Sequence, residues 1–406
     1  MFQKTSWLKV TVVMALCAMG LGSNSYSSVV ASGSEIVRLS SARPDLTSQR
    51  LNAPSGWYIE KVESNVLGMG ESSLVLDSAG RPHIAFEQQS TGLMYGVRED
   101  SGWEFQEVGV IYASTPSLAL DAADGERPYI AYNGSNYGQN SFNLGLTWFN
   151  GDEWQYIPID ISANSGSSPS LVVSEKEYHI SYIHEDNSWT RFLYYAHSNT
   201  SFPPAPAPID NLGNLSLANG NSVSSLVITN GYLSVSYVGD GVHLNYASLS
   251  SGSWITRTID SSPEVGGFSS LAIPSGGIAR MSYFDRTNYD LKYAYKKLVF
   301  PYTWHTEIVD GATSRVGFYT SLAVDSAGVP HISYCEVDQG DLKYATRLAG
   351  GTWQVETVDS SGNCSGTSLG VDQSGKVHIL YYDYDTRDLR YAVHFPFQVD
   401  LPLILR

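Results

Sequence analysis

Hydrophobic and polar positions along this chain follow one pattern seven times, and the clearest copy is SLAVDSAGVPHISY at residues 321–334. Each copy has two alternating runs around a turn, as in DSAG at Asp77 or Asp325, where aspartate opens the turn and glycine supplies a positive φ. A serine–leucine pair begins each copy, and its leucine recurs every 44 to 55 residues at Leu74, Leu118, Leu171, Leu226, Leu271, Leu322 and Leu369. This period is typical of a four-stranded propeller blade and not of a helical repeat.

Two further strand patterns follow each copy. The third strand has the form DLKYA, as at residues 341–345, and the fourth begins with tryptophan, as in WQVETVD at residues 353–359. The fourth pattern is degenerate at residues 202–210, where its prolines are compatible only with an exposed edge. The sequence therefore predicts an all-β fold, a seven-bladed β-propeller of four-stranded blades.

The order of the patterns also predicts how the ring closes. The repeat begins with a tryptophan strand at Trp57 and ends with a third strand at residues 388–392, so the last blade lacks one strand. We expect the N-terminal strand to complete that blade, which would remove the open sheet edges that invite aggregation.

The ends of the chain differ from the repeat. Residues 1–28 combine Lys4 and Lys9 with an apolar stretch at 10–21 and then small polar residues, which predicts a signal peptide. We expect a flexible segment at 29–55, the propeller at 56–393 and a C-terminal tail at 394–406. The protein is therefore expected to be secreted or at the cell surface, with no membrane span.

The amino-acid composition and net charge indicate which classes of partner the protein can bind. The chain is 42% hydrophobic, with 27 tyrosines, 9 tryptophans and 37 glycines, which suits many short strands joined by tight turns. The formal net charge of −16 argues against nucleic-acid binding, because a phosphate-binding surface needs clustered lysine and arginine. We expect a monomer.

The candidate binding residues lie in loops around the mouth of the central channel, where the second-to-third and fourth-to-first connections of a propeller meet. Sugar binding needs an aromatic ring beside acidic or polar groups, because sugars present C–H faces and hydroxyl edges together. The predicted ligand-binding residues are Asp285, Arg286, Glu336, Asp383, Phe318 and Tyr319. Alternatively, the acids cap turns while Lys292, Lys343 and Arg390 pair across hairpins.

The repeated histidines do not predict a metal centre. His83, His179, His331 and His378 occupy equivalent positions in separate blades, so four of them cannot meet on one ion. We expect them to pack on a neighbouring blade with one ring nitrogen bonded to backbone, and the repeated tryptophans to pack between blades. A sugar-stacking role is the alternative for the tryptophans. No cofactor is expected, with calcium on the acidic loops as an open alternative.

Two cysteines remain after the predicted leader is removed. Cys335 ends the second strand of the sixth blade, and Cys364 lies in the connection to the seventh. A disulfide suits the predicted compartment if the two residues are close enough, and two free thiols are the alternative.

The phrase L-x-x-D-S-x-G-x-P-H-I-S-Y, with D-L-K-Y-A and the tryptophan strand, resembles the repeat of bacterial secreted β-propellers in the sialidase-like and Asp-box neighbourhood. The Asp-x-x-Gly turn of the Asp-box is present at Asp77, Asp325 and Asp372, but its flanking serine and aromatic positions differ. Sialidases of this shape use an arginine triad and carry an Arg-Ile-Pro signature. This chain lacks the signature but has Arg191, Arg286, Arg315 and Arg387 in loops on the predicted functional face.

Propellers of one shape support many functions, so the resemblance predicts architecture better than activity. Because no blade stands out as a specialised site, the sequence favours a non-catalytic binding propeller that recognises glycans or another cell-surface partner. A glycoside-processing enzyme is the first alternative, since it would need paired carboxylates or a tyrosine with a glutamate in a unique pocket. A structural scaffold is the second.

Overall fold

The computed structural model describes residues 56–67, 72–134, 143–198, 206–214, 224–240, 242–297, 300, 303–311 and 314–395. The predicted signal peptide, the segment at 29–55 and the tail from 396 onward lie outside the described residues. Within them the fold is all-β, and seven sheets form the blades of a propeller ring, as predicted. The described part of the chain contains no helix long and apolar enough to cross a membrane.

Blades 1 to 4 each run from an inner strand at the channel to an outer edge strand. Blade 1 divides its inner strand in two, and both pieces pair with β4. Blade 1 contains β2 (Val66–Leu67), β3 (Ser73–Leu76), β4 (Pro82–Gln88), β5 (Gly92–Glu99) and β6 (Gly102–Glu107), and blade 2 contains β7 (Ala113–Asp121), β8 (Arg127–Gly134), β9 (Asn143–Phe149) and β10 (Trp154–Asp160). Blade 3 contains β11 (Ser167–Ser174), β12 (Glu177–Glu185), β13 (Thr190–His197) and β14 (Ala207–Asn214). Blade 4 contains β15 (Ser225–Thr229), β16 (Tyr232–Gly239), β17 (His243–Ser250) and β18 (Ser253–Asp260). A single 3₁₀ turn, Ala122–Asp124, is the only helical element among the described residues.

Blades 5 to 7 repeat this order. Their strands are β19 (Val265–Ala272), β20 (Arg280–Asp285), β21 (Asp290–Lys296) and β22 (Trp304–Asp310); β23 (Phe318–Val324), β24 (Pro330–Glu336), β25 (Asp341–Arg347) and β26 (Trp353–Asp359); and β27 (Cys364–Val371), β28 (Val377–Asp383) and β29 (Asp388–His394).

The ring closes as the sequence predicts. Strand β1 (Trp57–Glu63) pairs antiparallel with β29, with Trp57 opposite His394, and becomes the outer strand of blade 7. The degenerate fourth strand of blade 3 is also an edge strand, but it begins at Ala207 and continues to Asn214, later than the pattern indicated.

A ring of hydrogen bonds explains the serine–leucine pair. The hydroxyl of each serine accepts a hydrogen bond from the leucine amide of the next blade, at 2.9 to 3.0 Å. The accepting residues are Ser73, Ser117, Ser170, Ser225, Ser270, Ser321 and Ser368. Because the last of these bonds joins blade 7 to blade 1, the inner strands form an unbroken circle.

A second junction uses an aspartate of the outer strand, which is the last residue of that strand in blades 2, 4, 5 and 6 and lies within it in blade 3. In blades 3 to 7, a buried tyrosine hydroxyl donates to the corresponding aspartate of the preceding blade, as Tyr283 does to Asp260 at 2.8 Å. Lys292 also donates to Asp260, at 2.6 Å. Burial alone would raise the pKa of Asp260, but the hydrogen bonds from Lys292, Ser262 and Tyr283 outweigh it and lower the pKa to about 2.

These junctions correct one expectation for the cations. Lys343 does not pair across its own hairpin, because its nearest carboxylate is Asp310 of the preceding blade at 3.4 Å. Arg390 pairs both between blades and within its own blade, since it contacts Asp359 of the preceding blade and Asp383 of its own. Lys292 also lies 3.7 Å from Asp285 of its own blade, so pairing across the hairpin holds for Lys292 and Arg390 and fails only for Lys343, because blades also pack face to face.

The tryptophans pack between blades, as predicted. Each ring meets edge-on or tilted the third-strand tyrosine of the preceding blade at 5.0 to 5.5 Å, as Trp103 meets Tyr391. The indole N–H of Trp103 donates to Glu60 at 2.9 Å. A buried indole therefore keeps a hydrogen-bond partner while its ring fills the blade interface.

His83, His331 and His378 are buried and His179 is half-buried, but the predicted bond to backbone is wrong. In His83, His331 and His378, Nδ1 instead contacts a tyrosine hydroxyl on the third strand of the same blade, and Nε2 lies 3.4 to 3.5 Å from the aspartate of the preceding turn. His179 keeps only the tyrosine contact, to Tyr195 at 2.7 Å. Side-chain partners supplied by the repeat itself replace the backbone group.

Cys335 and Cys364 form a disulfide, with their Cα atoms 5.5 Å apart. The bond joins the second strand of blade 6 to the inner strand of blade 7. It therefore reinforces one blade junction covalently.

Candidate functional site

A cleft of about 570 Å³ opens at the junction of blades 5 and 6. It lies between two second-to-third-strand loops, on the face where the sequence places the binding residues. Its lining is Asn288, Tyr289, Asp290, Ile308, Gly311, Ser314, Arg315 and Asp338. A cavity of this size is within the range of small-molecule sites.

Two of the predicted acids hold the walls of this cleft in place. Asp285 is buried and accepts hydrogen bonds from the backbone amide and side-chain amide of Asn288, at 3.1 and 3.0 Å. Glu336 is buried and accepts from the backbone amides of Asp338 and Gln339, at 3.1 and 3.2 Å. Both carboxylates therefore shape the loops from behind, and the groups that face the cleft are their neighbours.

The lining of the cleft carries an exposed pair of opposite charges, Arg315 and Asp338. Arg315 donates to Asp338 from its backbone amide at 2.9 Å and from Nε at 2.7 Å, and these bonds lower the pKa of the Asp338 carboxyl. Burial raises the pKa of Asp290, and the nearby charge of Asp285 adds to the effect. The two carboxyl groups of the cleft therefore have pKa values shifted in opposite directions, that of Asp338 downward and that of Asp290 upward.

Gly311 packs directly against the Asp290 side chain in the lining of the cleft. A Cβ on Gly311 would collide with the Asp290 carboxylate, so a larger residue there would displace the Asp290 side chain. Tyr289 is 42% exposed, and its backbone has a left-handed φ of 60°. Ile308 adds exposed apolar surface. One side of the cleft is therefore apolar and the other can donate and accept hydrogen bonds.

The other predicted ligand residues lie outside this cleft. Asp383 is buried and accepts from Asn363, Asp385 and Thr386 within the blade 7 loops. The Arg286 side chain lies 3.9 Å from Glu264. Tyr319 lines a separate cavity on the ring axis, and Phe318 packs beside it with its ring 4.3 Å from that of Phe284.

The four arginines that suggested a sialidase-like triad are not gathered in either cavity. Arg191 pairs with Glu185 at 2.8 Å, Arg286 lies near Glu264, and Arg315 is bound to Asp338. Only Arg315 lines one of the two cavities. In the described ranges, no group of three or more histidine, cysteine, aspartate or glutamate residues is arranged to hold a metal ion.

Sequence reasoning missed Tyr289 as a cleft residue. Tyr289 is the third of three loop residues between Arg286 and the DLKYA strand, and nothing in the repeat distinguishes it. One signal was available, because Gly340 occupies the same place in blade 6 and has a φ of 79°. A glycine in one copy and a tyrosine at the same place in another indicate a left-handed backbone, a conformation that costs tyrosine conformational free energy and glycine none.

No family model and no curated protein matches this chain. Solved structures match its fold. One is a mutant of the Aleuria aurantia lectin in complex with Fucalpha1-6GlcNAc, and another is a mercury derivative of the fucose-specific lectin from Aleuria aurantia. Each superposes on this chain with a TM-score of 0.51 and 12% sequence identity, and each superposition covers 73% of this chain and 98% of the lectin chain. The polysaccharide lyase Uly1 superposes with a TM-score of 0.47 and 10% identity, over 81% of this chain and 90% of that chain.

At these identities the likeness concerns the fold alone. The Aleuria lectin is a six-bladed β-propeller, and this chain has one blade more.

Proposed function

We propose that this protein is a secreted or cell-surface, non-catalytic β-propeller that binds glycans in the cleft between blades 5 and 6. The observation that carries the proposal is the exposed Tyr289 ring beside the Arg315–Asp338 pair and Asp290. A sugar presents an apolar C–H face that stacks on an aromatic ring, and hydroxyl edges that exchange hydrogen bonds with charged groups.

The roles within the site follow from this geometry. Tyr289 is the stacking platform, Arg315 is the donor to ring or hydroxyl oxygens, and Asp290 exchanges hydrogen bonds with hydroxyls. Asp285 and Glu336 are positioning residues. The leader pattern at 1–28 and the repeat resemblance support a bacterial secreted protein, and the fold likeness to a fucose-binding lectin is compatible with glycan recognition.

The absence of catalysis is part of the proposal. A retaining glycosidase needs two carboxyl groups about 5–5.5 Å apart around the scissile bond, one of them free to act as nucleophile. Asp338 is held by two hydrogen bonds from Arg315, and Asp285 and Glu336 are turned into their own loops. The cleft is thus equipped for recognition.

The test is a glycan array probed with the purified protein and two matched variants. Tyr289→Asn removes the stacking ring, and asparagine tolerates the left-handed backbone. Trp189→Asn is the control, because Trp189 has the same φ of 60° and is 71% exposed in a loop of blade 3. We expect about tenfold or greater weakening for Tyr289→Asn, equivalent to about 1.4 kcal/mol, and no change for the control.

An array without any bound glycan, or equal binding by the wild type and Tyr289→Asn, would contradict the site. A panel of fluorogenic glycosides tests the non-catalytic part separately. Turnover that disappears in Glu336→Gln or Asp383→Asn would favour the enzyme alternative.

A further inference from the structure

The Asp290 carboxylate lines the cleft between blades 5 and 6 and is left without a partner. Asp290 is 8% exposed, and its side chain makes no hydrogen bond and no ion pair with the described part of the chain. Its two oxygens are not among the fully enclosed unpaired atoms of the described residues, so they keep contact with the cleft. A buried polar group without a partner is costly and needs an explanation.

The equivalent aspartate of blade 7 has the partners that Asp290 lacks. Asp388 begins strand β29 as Asp290 begins β21. The Asp388 carboxylate accepts a hydrogen bond from the Ser64 hydroxyl at 2.8 Å and lies 3.9 Å from the Lys61 ammonium group. Side chains of this protein therefore satisfy an aspartate at this position with one hydroxyl and one ammonium group.

In blade 5 both partner positions carry residues without a polar side chain. The strand register places Ile308 where blade 7 has Lys61, and Gly311 where blade 7 has Ser64. A Cβ on Gly311 would lie 2.2 Å from Oδ1 of Asp290, so the carboxylate faces the space beside this glycine. The absence of both side chains leaves the Asp290 carboxylate unpaired at the edge of an open cleft.

The surrounding charges favour a cation beside this carboxylate. Asp285 lies 3.7 Å from Lys292. Asp310 lies 3.4 Å from Lys343, so each neighbouring acid has a lysine within reach. Burial raises the pKa of the Asp290 carboxyl, and the negative charges of Asp285 and Asp310 add to the rise. An incoming ammonium group would offset these effects, whereas a carboxylate or sulfate on the ligand would add to the repulsion.

We propose that the ligand of the cleft is an amino sugar with a free ammonium group, such as a 2-amino-2-deoxyhexose. The ammonium group lies against Asp290 where blade 7 has Lys61, and a neighbouring ring hydroxyl replaces the one that Ser64 supplies. The C–H face of the sugar stacks on Tyr289. A lysine side chain of a protein would bring the ammonium group without the neighbouring hydroxyl. This inference rests on the proposed function and specifies its ligand.

The test compares sugars that differ in one substituent. D-glucosamine and D-galactosamine carry an ammonium group, their N-acetyl forms carry a neutral amide in its place, and D-glucose and D-galactose carry a hydroxyl. Calorimetric titration of the full chain at pH 7, where such amines are largely protonated, measures each affinity. Asp290→Asn removes the charge and keeps the shape. Asp388→Asn is the matched control, because Asp388 already has partners from its own chain.

We expect at least one amino sugar to bind the wild type about tenfold or more tightly than its N-acetyl form and its parent hexose. This advantage should disappear in Asp290→Asn and remain in Asp388→Asn. Ile308→Lys should also weaken amino-sugar binding by about tenfold, because it gives Asp290 the cation that blade 7 has at this place. Ile308→Lys carries the test if Asp290→Asn does not fold.

Amino sugars that bind no more tightly than their neutral counterparts would overturn this inference, as would an advantage that persists in folded Asp290→Asn. An advantage lost in Asp388→Asn alone also overturns it and assigns the sugar to blade 7. If the glycan array still shows binding that depends on Tyr289, these outcomes leave the proposed function intact. If no sugar binds in the titrations or on the array, the proposed function fails and this inference fails with it.

Discussion

The hydroxyl of Ser368 in blade 7 accepts a hydrogen bond from the amide of Leu74 in blade 1, at 2.9 Å. The two residues are 294 positions apart in the sequence. Six equivalent bonds link the other blades, so this contact is the one that turns a row of inner strands into a closed ring. The ring is therefore closed by this contact, by the pairing of β1 with β29 and by the packing of Trp103 on Tyr391.

Removing this hydroxyl should destabilise the ring. We expect Ser368→Ala to lower the free energy of unfolding by about 1–3 kcal/mol, because the buried Leu74 amide loses its partner. Ser90→Ala, at an exposed loop position, is the control and should change it by less than about 0.5 kcal/mol. Denaturant unfolding followed by tryptophan fluorescence measures both, and equal values for the two variants would show that the bond contributes nothing.

The closing strand should be equally sensitive. Trp57 is 6% exposed, packs on Tyr344 of blade 6 and donates to Glu356 at 3.2 Å. We expect Trp57→Ala to cost about 3–5 kcal/mol through the cavity it leaves. Trp189→Ala removes the same side chain from an exposed loop and should be nearly neutral. A melting temperature that falls equally in both variants would contradict the role of Trp57 in closure.

A gain in stability is expected at Ser72. Hydroxyl pairs join neighbouring blades at Ser181–Ser224, Ser236–Ser269, Ser282–Thr320 and Ser333–Thr367. Ser72 faces the position of Leu380 and has no such partner, so Ser72→Ala should raise the free energy of unfolding by up to about 1 kcal/mol. Ser224→Ala should lower it, because Ser181 would lose its partner. A loss of stability in Ser72→Ala measured by the same denaturant titration would show that its hydroxyl is already satisfied.

The buried histidines predict a loss of stability in mild acid. Burial lowers the pKa of His83, His331 and His378, and the nearby aspartates oppose this shift without overcoming it. The unfolded chain therefore binds protons first as the pH falls below about 6.5, so stability is complete above that value and decreases below it.

We expect the free energy of unfolding to fall between about pH 7.5 and about pH 5, by about 1.4 kcal/mol for each unit by which a histidine pKa is lowered. His378→Asn removes one titrating group and keeps a polar atom near Tyr391, so its decrease should be smaller. The control His305→Asn, at an exposed position, should follow the wild type. A pH-independent wild type would contradict the prediction.

The repeat explains why the fold could be predicted and much of the site could not. Features that every blade needs, such as the serine–leucine pair and the tryptophan strand, recur in register and therefore identify the blades and the closing strand. Asp285 and Glu336 were predicted as ligand residues because they recur as well. Their recurrence reflects loop bracing, which requires burial, and burial of a polar loop residue depends on contacts that a strand pattern does not contain.

Residues that distinguish one blade junction from the others do not recur along the sequence, so the repeat pattern does not reveal them. Tyr289 and Arg315 form a cleft only because two loops from different blades meet there. Tyr319 was predicted because an aromatic ring beside acidic groups suits sugar binding. Its left-handed backbone could have been inferred from Gly366, which occupies the same position in blade 7.

All seven serine–leucine bonds run in the same rotational sense, each blade offering its hydroxyl to the next. A circle of identical, directional links has no first member. The ends of the repeat therefore mark where the covalent chain enters and leaves the ring, and the seven serine–leucine bonds do not encode that place. A circular permutant that starts at another outer strand would meet the same sequence of neighbours, and its cut would again be closed by one strand returning to the blade it left.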